Sequence, residues 1–155
     1  MAVSGSCESG PQLHAIAPNF QLLNINHRPM GLADLMGTHG LLLGFSGDIW
    51  QPVTMRRIIW LQRHTARLQA YGVEVALLVG NAPDILYGFQ VSSTMALGFT
   101  LLADPDRHIH RLYNMGNCDG LVLLDRQQRI RSKWLALSER GWPQPASLIQ
   151  TCTRL

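Results

Sequence analysis

Two nearly unbroken apolar runs with one long helical pattern between them constrain this chain more than any other feature. Leu41-Leu42-Leu43-Gly44-Phe45 contains no polar side chain, and Val73-Glu74-Val75-Ala76-Leu77-Leu78-Val79 contains one. A strand with one wet face alternates, whereas a strand covered on both faces does not, so both runs are expected as central strands. Between them, Thr54 to Tyr71 places Met55, Ile58, Ile59, Leu61, Ala66 and Leu68 near a 3.6-residue period, with Arg56, Arg63 and Arg67 on the opposite face. Gly72 stands where a helix-terminating glycine belongs. Alternating strands and helices of this kind argue for a mixed sheet with helices on both faces.

The remaining segments extend that frame. Ala17 to Leu23 is predicted as a strand, Asn24 to Arg28 as a turn and Pro29-Met30 as a return arm. Gly31 to Gly37 holds one short helical turn. Asn81-Ala82-Pro83-Asp84 starts a second helix running to about Val91, with Asn81 as candidate cap and a proline in the first turn. Phe99 to Ala103 is a third buried strand, and helical spacing resumes from Arg107 to Tyr113. Gly120–Asp125 and Arg129–Leu135 form a hairpin, and a last helix runs from Pro145 to about Thr153. The expected class is α/β: a mixed central sheet, helices on both faces and an N-terminal β arm. Residues 1–16, rich in Gly and Ser at their start, are expected as a flexible tail before a single domain spanning 17–155.

Composition narrows the function classes. Charged residues make up 15% of the chain and the net charge is +3, with Lys133 as the only lysine. No basic run is long enough for a nucleic-acid tail. No apolar stretch approaches the length of a membrane span, and residues 1–11 lack the pattern of a secretory signal, so the cytoplasm is the expected compartment. Cys7, Cys118 and Cys152 contain no close pair and no zinc-type spacing. His108 and His110 would point about 200° apart on a helix, so no metal site is expected, and no cofactor is expected either.

Several stretches in this order resemble the peroxiredoxin (alkyl hydroperoxide reductase/thiol-specific antioxidant) class of thioredoxin-fold proteins. Ala17-Pro18-Asn19-Phe20 is similar to the opening Ala-Pro-Asp-Phe of that class. Gly31 to Gly37 is similar to its Ser-Leu-Ser-Asp-Leu-x-Gly, and Tyr71 to Val75 with Asn81-Ala82-Pro83 to its Gly-Val-x-Val and Asp-Ser-Pro. Phe99 to Asp106 followed by Leu112-Tyr113, and then Gly120 to Asp125, continue the likeness, which covers roughly residues 17 to 134. The resemblance implies a thioredoxin-like fold, thiol redox chemistry and a tendency to dimerise.

The residues at the implied reactive position depart from the family pattern. The frame Trp50-Gln51-Pro52-Val53-Thr54 aligns with Thr-Pro-x-Cys, which puts the sulfur position on Thr54, or with Cys-Pro-x-Cys, which puts the two sulfurs on Gln51 and Thr54. Where the family holds a supporting arginine or a cis-proline, the best match is Asp119. Peroxide reduction needs a thiolate at a helix N-terminus, whose dipole and neighbouring cations lower a thiol pKa of about 8.5. A threonine hydroxyl has neither the acidity nor the oxidation states for that chemistry.

Three readings of the site remain at this stage. Trp50, Gln51, Pro52, Thr54 and Arg57 form a candidate binding surface for a protein partner or a second copy, with Trp50 exposed beside arginine. Gln51, Thr54 and the free amides of the helix start are a candidate anion site, or Thr54 simply caps the helix. Cys118 is a candidate redox thiol acting in place of the missing pair, or a small apolar residue. Cys7 and Cys152 lie near the two ends of the chain, either paired or both free. The Arg56/Arg63/Arg67 stripe is a solvated face or a contact for an acidic partner.

Overall fold

The computed structural model describes residues 10–116, 118–136 and 142–155. Among the described residues, seven strands form one mixed sheet: β1 (Gln21–Asn24), β2 (Pro29–Gly31), β3 (Gly40–Phe45), β4 (Val73–Val79), β5 (Thr100–Ala103), β6 (Asp119–Asp125) and β7 (Ile130–Ala136). Their spatial order is β2-β1-β5-β4-β3-β6-β7. The helices are α1 (Leu32–Leu35), α2 (Pro52–Ala70), α3 (Pro83–Ser92), α4 (His108–Leu112) and α5 (Pro145–Cys152), with a 3-10 turn over Pro105–Arg107.

The two apolar runs stand at the centre, as their lack of alternation requires. β3 pairs parallel with β4, with Leu42 opposite Val75, and antiparallel with β6, with Leu43 opposite Val122. One face of the sheet packs Leu42, Val75, Leu77 and Leu123 against Ile58, Leu61 and Leu68 of α2, Leu86 and Phe89 of α3, and Leu148 and Ile149 of α5. The other packs Leu41, Leu43, Phe45, Ala76 and Leu78 against Leu32 and Leu35 of α1 and Ile109 and Tyr113 around α4. Full burial of a leucine or phenylalanine contributes about 1.5–3 kcal/mol, so β3, buried at all six positions, anchors both layers.

Local chemistry sets the ends of the elements. α2 begins two residues earlier than its apolar period suggests, because Pro52 occupies its first turn, where a missing N–H costs nothing. Its N-cap is Gln51, with no side-chain cap bond, so Thr54 is not the cap. Gly72 takes φ +76 and closes the helix as expected. Asn81 does not cap α3, whose N-cap is Ala82. Its side chain turns back to the loop after β3, accepting from Ile49 N at 2.7 Å and donating to Asp48 Oδ1 at 3.2 Å. The first strand starts only at Gln21; ahead of it, Ala17 N donates to Gln128 O at 2.8 Å, and Ile16 bridges to Arg129. Gly10 N donates to Asn114 O, His14 N donates to Ile130 O, and Ile130 N donates to Ala15 O, so residues 14–17 lie along the β6–β7 hairpin.

Candidate functional site

The loop from Ser46 to Gln51 joins the buried end of β3 to the start of α2, and four sequence-predicted residues meet there. Trp50, Gln51 and Pro52 face solvent, while Thr54, one turn into the helix, is fully buried. Trp50 is 58% exposed, and its ring stands edge-on to Phe89 of α3 at 5.7 Å. The tryptophan is therefore held from beneath and presented from above.

Below this surface lies a cluster of hydroxyls and a carboxyl group. Ser46 Oγ lies 3.2 Å from Thr54 Oγ1 and 3.1 Å from Asp119 Oδ2. A hydroxyl has one hydrogen, so Ser46 donates to one of them and takes its second bond from Thr54 or from a protonated Asp119. Arg57 Nε stands 3.9 Å from Asp119 Oδ2, a charge contact rather than a hydrogen bond. Burial pushes the Asp119 pKa above the usual carboxylate range, outweighing the bond from Ser46 and the charges of Arg57, Arg107 and His110. Burial also lowers the Arg57 pKa, which the Asp119 charge offsets only in part.

A second polar group supports the loop from the opposite layer. Asp104 and His110 are both fully buried. The carboxylate accepts from Ile109 N at 3.1 Å, from His110 N at 2.9 Å and from His110 Nδ1 at 2.6 Å. Nε2 of the same imidazole lies 3.0 Å from the carbonyl oxygen of Ser46, which can only accept. His110 thus ties the end of β5 to the end of β3. Burial alone would raise the Asp104 pKa, but the His110 side chain and the two amides reverse that and hold it below the usual range. The rings of His108 and His110 diverge, one exposed and one buried, yet both reach Asp104, His108 Nδ1 lying 3.2 Å from Oδ1.

Arg107 completes the surroundings. It and Asp106 both take left-handed backbone angles, φ 55 and φ 62. Two such non-glycine residues cost about 1–2 kcal/mol each. The turn sends the Arg107 guanidinium against Gly47, where an added Cβ would come within 2.7 Å of Nη2. Nη1 is buried with no hydrogen-bond partner among the described residues.

Of the cysteines, Cys118 is 1% exposed and disulfide-bonded, directly before Asp119 in the chain. Cys152 is free, so the pairing with Cys7 weighed from the sequence does not form; Cys7 itself lies outside the described residues. Burial pushes the Cys152 thiol up to about 11.

Gln51, Thr54 and Asp119 are thus drawn together at one helix start, with Trp50, Pro52 and Arg57 around them. Sequence reasoning missed Ser46, Asp104, Arg107 and the role of His110. The signal for part of this was present: an aspartate just after a strand, five and six residues before Ile109 and His110, is placed to accept their amides.

Known structures share this arrangement of sheet and helices. Peroxidoxin BcpB from Mycobacterium tuberculosis is similar with a TM-score of 0.78 at 11% identity, over 93% of this chain and 97% of that one. A thiol peroxidase from Chromobacterium violaceum gives 0.74 at 13% identity, over 96% and 90%. The mitochondrial 2-Cys peroxiredoxin from Plasmodium falciparum gives 0.71 at 20% identity, over 92% and 93%. Identities this low speak for the fold alone. No curated protein matches the chain in sequence. No helix among the described residues is long and apolar enough to cross a membrane. Residues 13–147, most of the chain, match the AhpC/TSA family, and the chain belongs to that family.

Proposed function

We propose that this chain is a non-catalytic member of its family that binds a protein partner through the turn at Trp50–Pro52 and the first turns of α2. The supporting observation is the content of the helix start. Where the family resemblance puts a reactive sulfur, Thr54 is fully buried and within hydrogen-bond reach of Ser46, and Asp119 supplies a carboxyl group beside Arg57. The cations that would stabilise a thiolate have an internal acid instead. What remains accessible is the rim: an exposed tryptophan propped on Phe89, next to Gln51 and Pro52, a composition suited to protein contact. A second copy of the chain is one partner this face would suit.

The experiment is capture of bound protein by the tagged chain from its source cells, with Trp50→Ala alongside and the oligomeric state of the purified chain measured by light scattering. Retention by the wild type and loss on Trp50→Ala supports the reading. Identical capture and identical mass for both proteins rejects it.

A second reading is thiol-dependent redox chemistry through Cys118. It is favoured by one observation, the disulfide bond of Cys118 next to Asp119. A cytoplasmic location, expected from the sequence, sits poorly with that bond, since reducing compartments keep thiols free. Titration of the reduced protein with a disulfide probe separates the two readings. The non-catalytic reading expects Cys118 to react no faster than free cysteine, and faster reaction that vanishes in Cys118→Ser favours the second.

A further inference from the structure

The end of the sheet remote from Trp50 carries a polar hollow that none of the preceding chemistry uses. β3 and β6 run antiparallel with Gly40 opposite Asp125, so His39, just ahead of one strand, stands across from Arg126, just past the other. On the far side of β6, Leu123 faces Ser132 and Leu124 faces Ile130, which leaves Arg131 as the extra residue of a β-bulge. A bulge re-aims the side chain it carries. His39, Arg126 and Arg131 are all exposed, and they meet around a hollow of about 250 Å³ that Asp125, Gln127 and Leu155 also line.

Asp125 is the one acid in that lining, and its oxygens are taken. Oδ1 accepts from Gln127 N at 2.9 Å and from Arg129 N at 3.0 Å, and Oδ2 accepts from Arg131 Nη1 at 3.3 Å. Burial alone would raise its pKa, but the two amides and Arg131 hold it below the usual carboxylate range. The aspartate thus fixes the turn and holds one edge of the Arg131 guanidinium, a planar fork of five N–H donors of which this contact uses one. Across the hollow, His39 Nδ1 lies 3.1 Å from Thr38 Oγ1. His39 and Leu155 also line a second hollow, of about 450 Å³, together with Thr38, Gln69, Tyr71 and Thr153.

We propose that this end of the sheet binds a small phosphomonoester, its phosphate among His39, Arg126 and Arg131 and its polar body in the hollow beside Tyr71. Donors that arrive from two elements suit a phosphate, whose three oxygens accept on separate sides, better than a carboxylate, which one planar fork satisfies. Arg131 is already paired with Asp125, and what it adds is direction more than charge. The second hollow suits more than a bare ion. Thr38, Gln69 and Thr153 offer hydroxyl and amide groups, and Tyr71, 44% exposed, offers a ring to a sugar-sized body. The site is independent of the Trp50 face, which lies beyond the other end of β3.

The test uses the purified full chain, titrated in a calorimeter with ribose 5-phosphate, ribose and inorganic phosphate. Ribose 5-phosphate is expected to bind at least about tenfold more tightly than either of the other two. Arg126→Glu, at an exposed turn position, is expected to weaken its binding by at least about tenfold. A second readout needs no variant: saturating ribose 5-phosphate should shift the imidazole resonances of His39 in the wild type and leave those of His27 where they are. Equal binding of the phosphorylated and unphosphorylated sugars overturns the proposal, as does inorganic phosphate bound as tightly as the ester. Unchanged affinity in Arg126→Glu, or unmoved His39 resonances at saturation, overturns it equally.

Discussion

Two aspartates flank the end of β3, Asp104 fully buried and Asp119 half-buried, and the protein treats them in opposite ways. Asp104 is enclosed by donors: two backbone amides and the His110 ring satisfy its oxygens, and its pKa falls below the usual range. Asp119 has one hydroxyl and a guanidinium too distant for a hydrogen bond, and burial raises its pKa. The first carboxylate is part of the scaffold, because folding gains from its charge. The second is carried at a cost, in the place where the family resemblance puts the supporting arginine or cis-proline beside the reactive thiol. Burial works against charge at that second site, where it raises the Asp119 pKa and lowers that of Arg57.

The largest expected effect falls on the scaffold acid. Asp104→Asn leaves the buried His110 facing an uncharged partner, and should destabilise the fold by about 3–5 kcal/mol in urea unfolding. The pH dependence carries the same sign. A depressed carboxyl pKa stabilises above the unfolded value of about 3.9 and loses that contribution as pH falls through the folded value. The wild type should therefore lose stability below about pH 4 more steeply than Asp104→Asn. A loss under about 1 kcal/mol, typical of a surface position, would break the contrast between the two acids.

An intermediate effect concerns the environment that Asp119 creates. Thr54→Cys places a thiol in the first turns of α2, and the neighbouring carboxylate should oppose its ionisation. Adding Asp119→Asn should lower that thiol's apparent pKa by about one unit, equivalent to about 1.4 kcal/mol, read from alkylation rate against pH. No shift would mean that Asp119 does not govern the charge balance of the helix start.

The smallest effect is expected from Asp119→Asn alone. A raised carboxyl pKa means that the ionised acid costs stability above its folded pKa, and that the cost is relieved as pH falls through it. Removing the charge should leave stability at neutral pH within about 1 kcal/mol of wild type, or raise it. A loss comparable to that of Asp104→Asn would place the two acids in the same structural class.

The scaffold was more legible in the sequence than the site. Leu41–Phe45 and Val73–Val79 announce central strands because burial on both faces removes alternation, and Gly72 marks a helix end because it is needed at φ +76. Gln51, Thr54 and Asp119 could be placed together through the family resemblance. The polar partners could not, since Ser46 meets Asp119 across 73 positions of sequence and His110 meets the Ser46 carbonyl across 64. Nor could Asn81 be told from an ordinary cap. It precedes a proline at a helix start, and only the approach of the Asp48–Ile49 loop turns its side chain elsewhere. Thr54 was likewise a candidate cap until Pro52 moved the helix start two residues forward.

The central claim is that the start of α2 holds a hydroxyl–carboxyl cluster in place of a working thiolate. Hydrogen peroxide consumption with dithiothreitol as reductant tests this most directly, measured on the purified chain and on Cys118→Ser. The expected result is no turnover by the wild type above that of Cys118→Ser. Sustained turnover above that control would contradict the account.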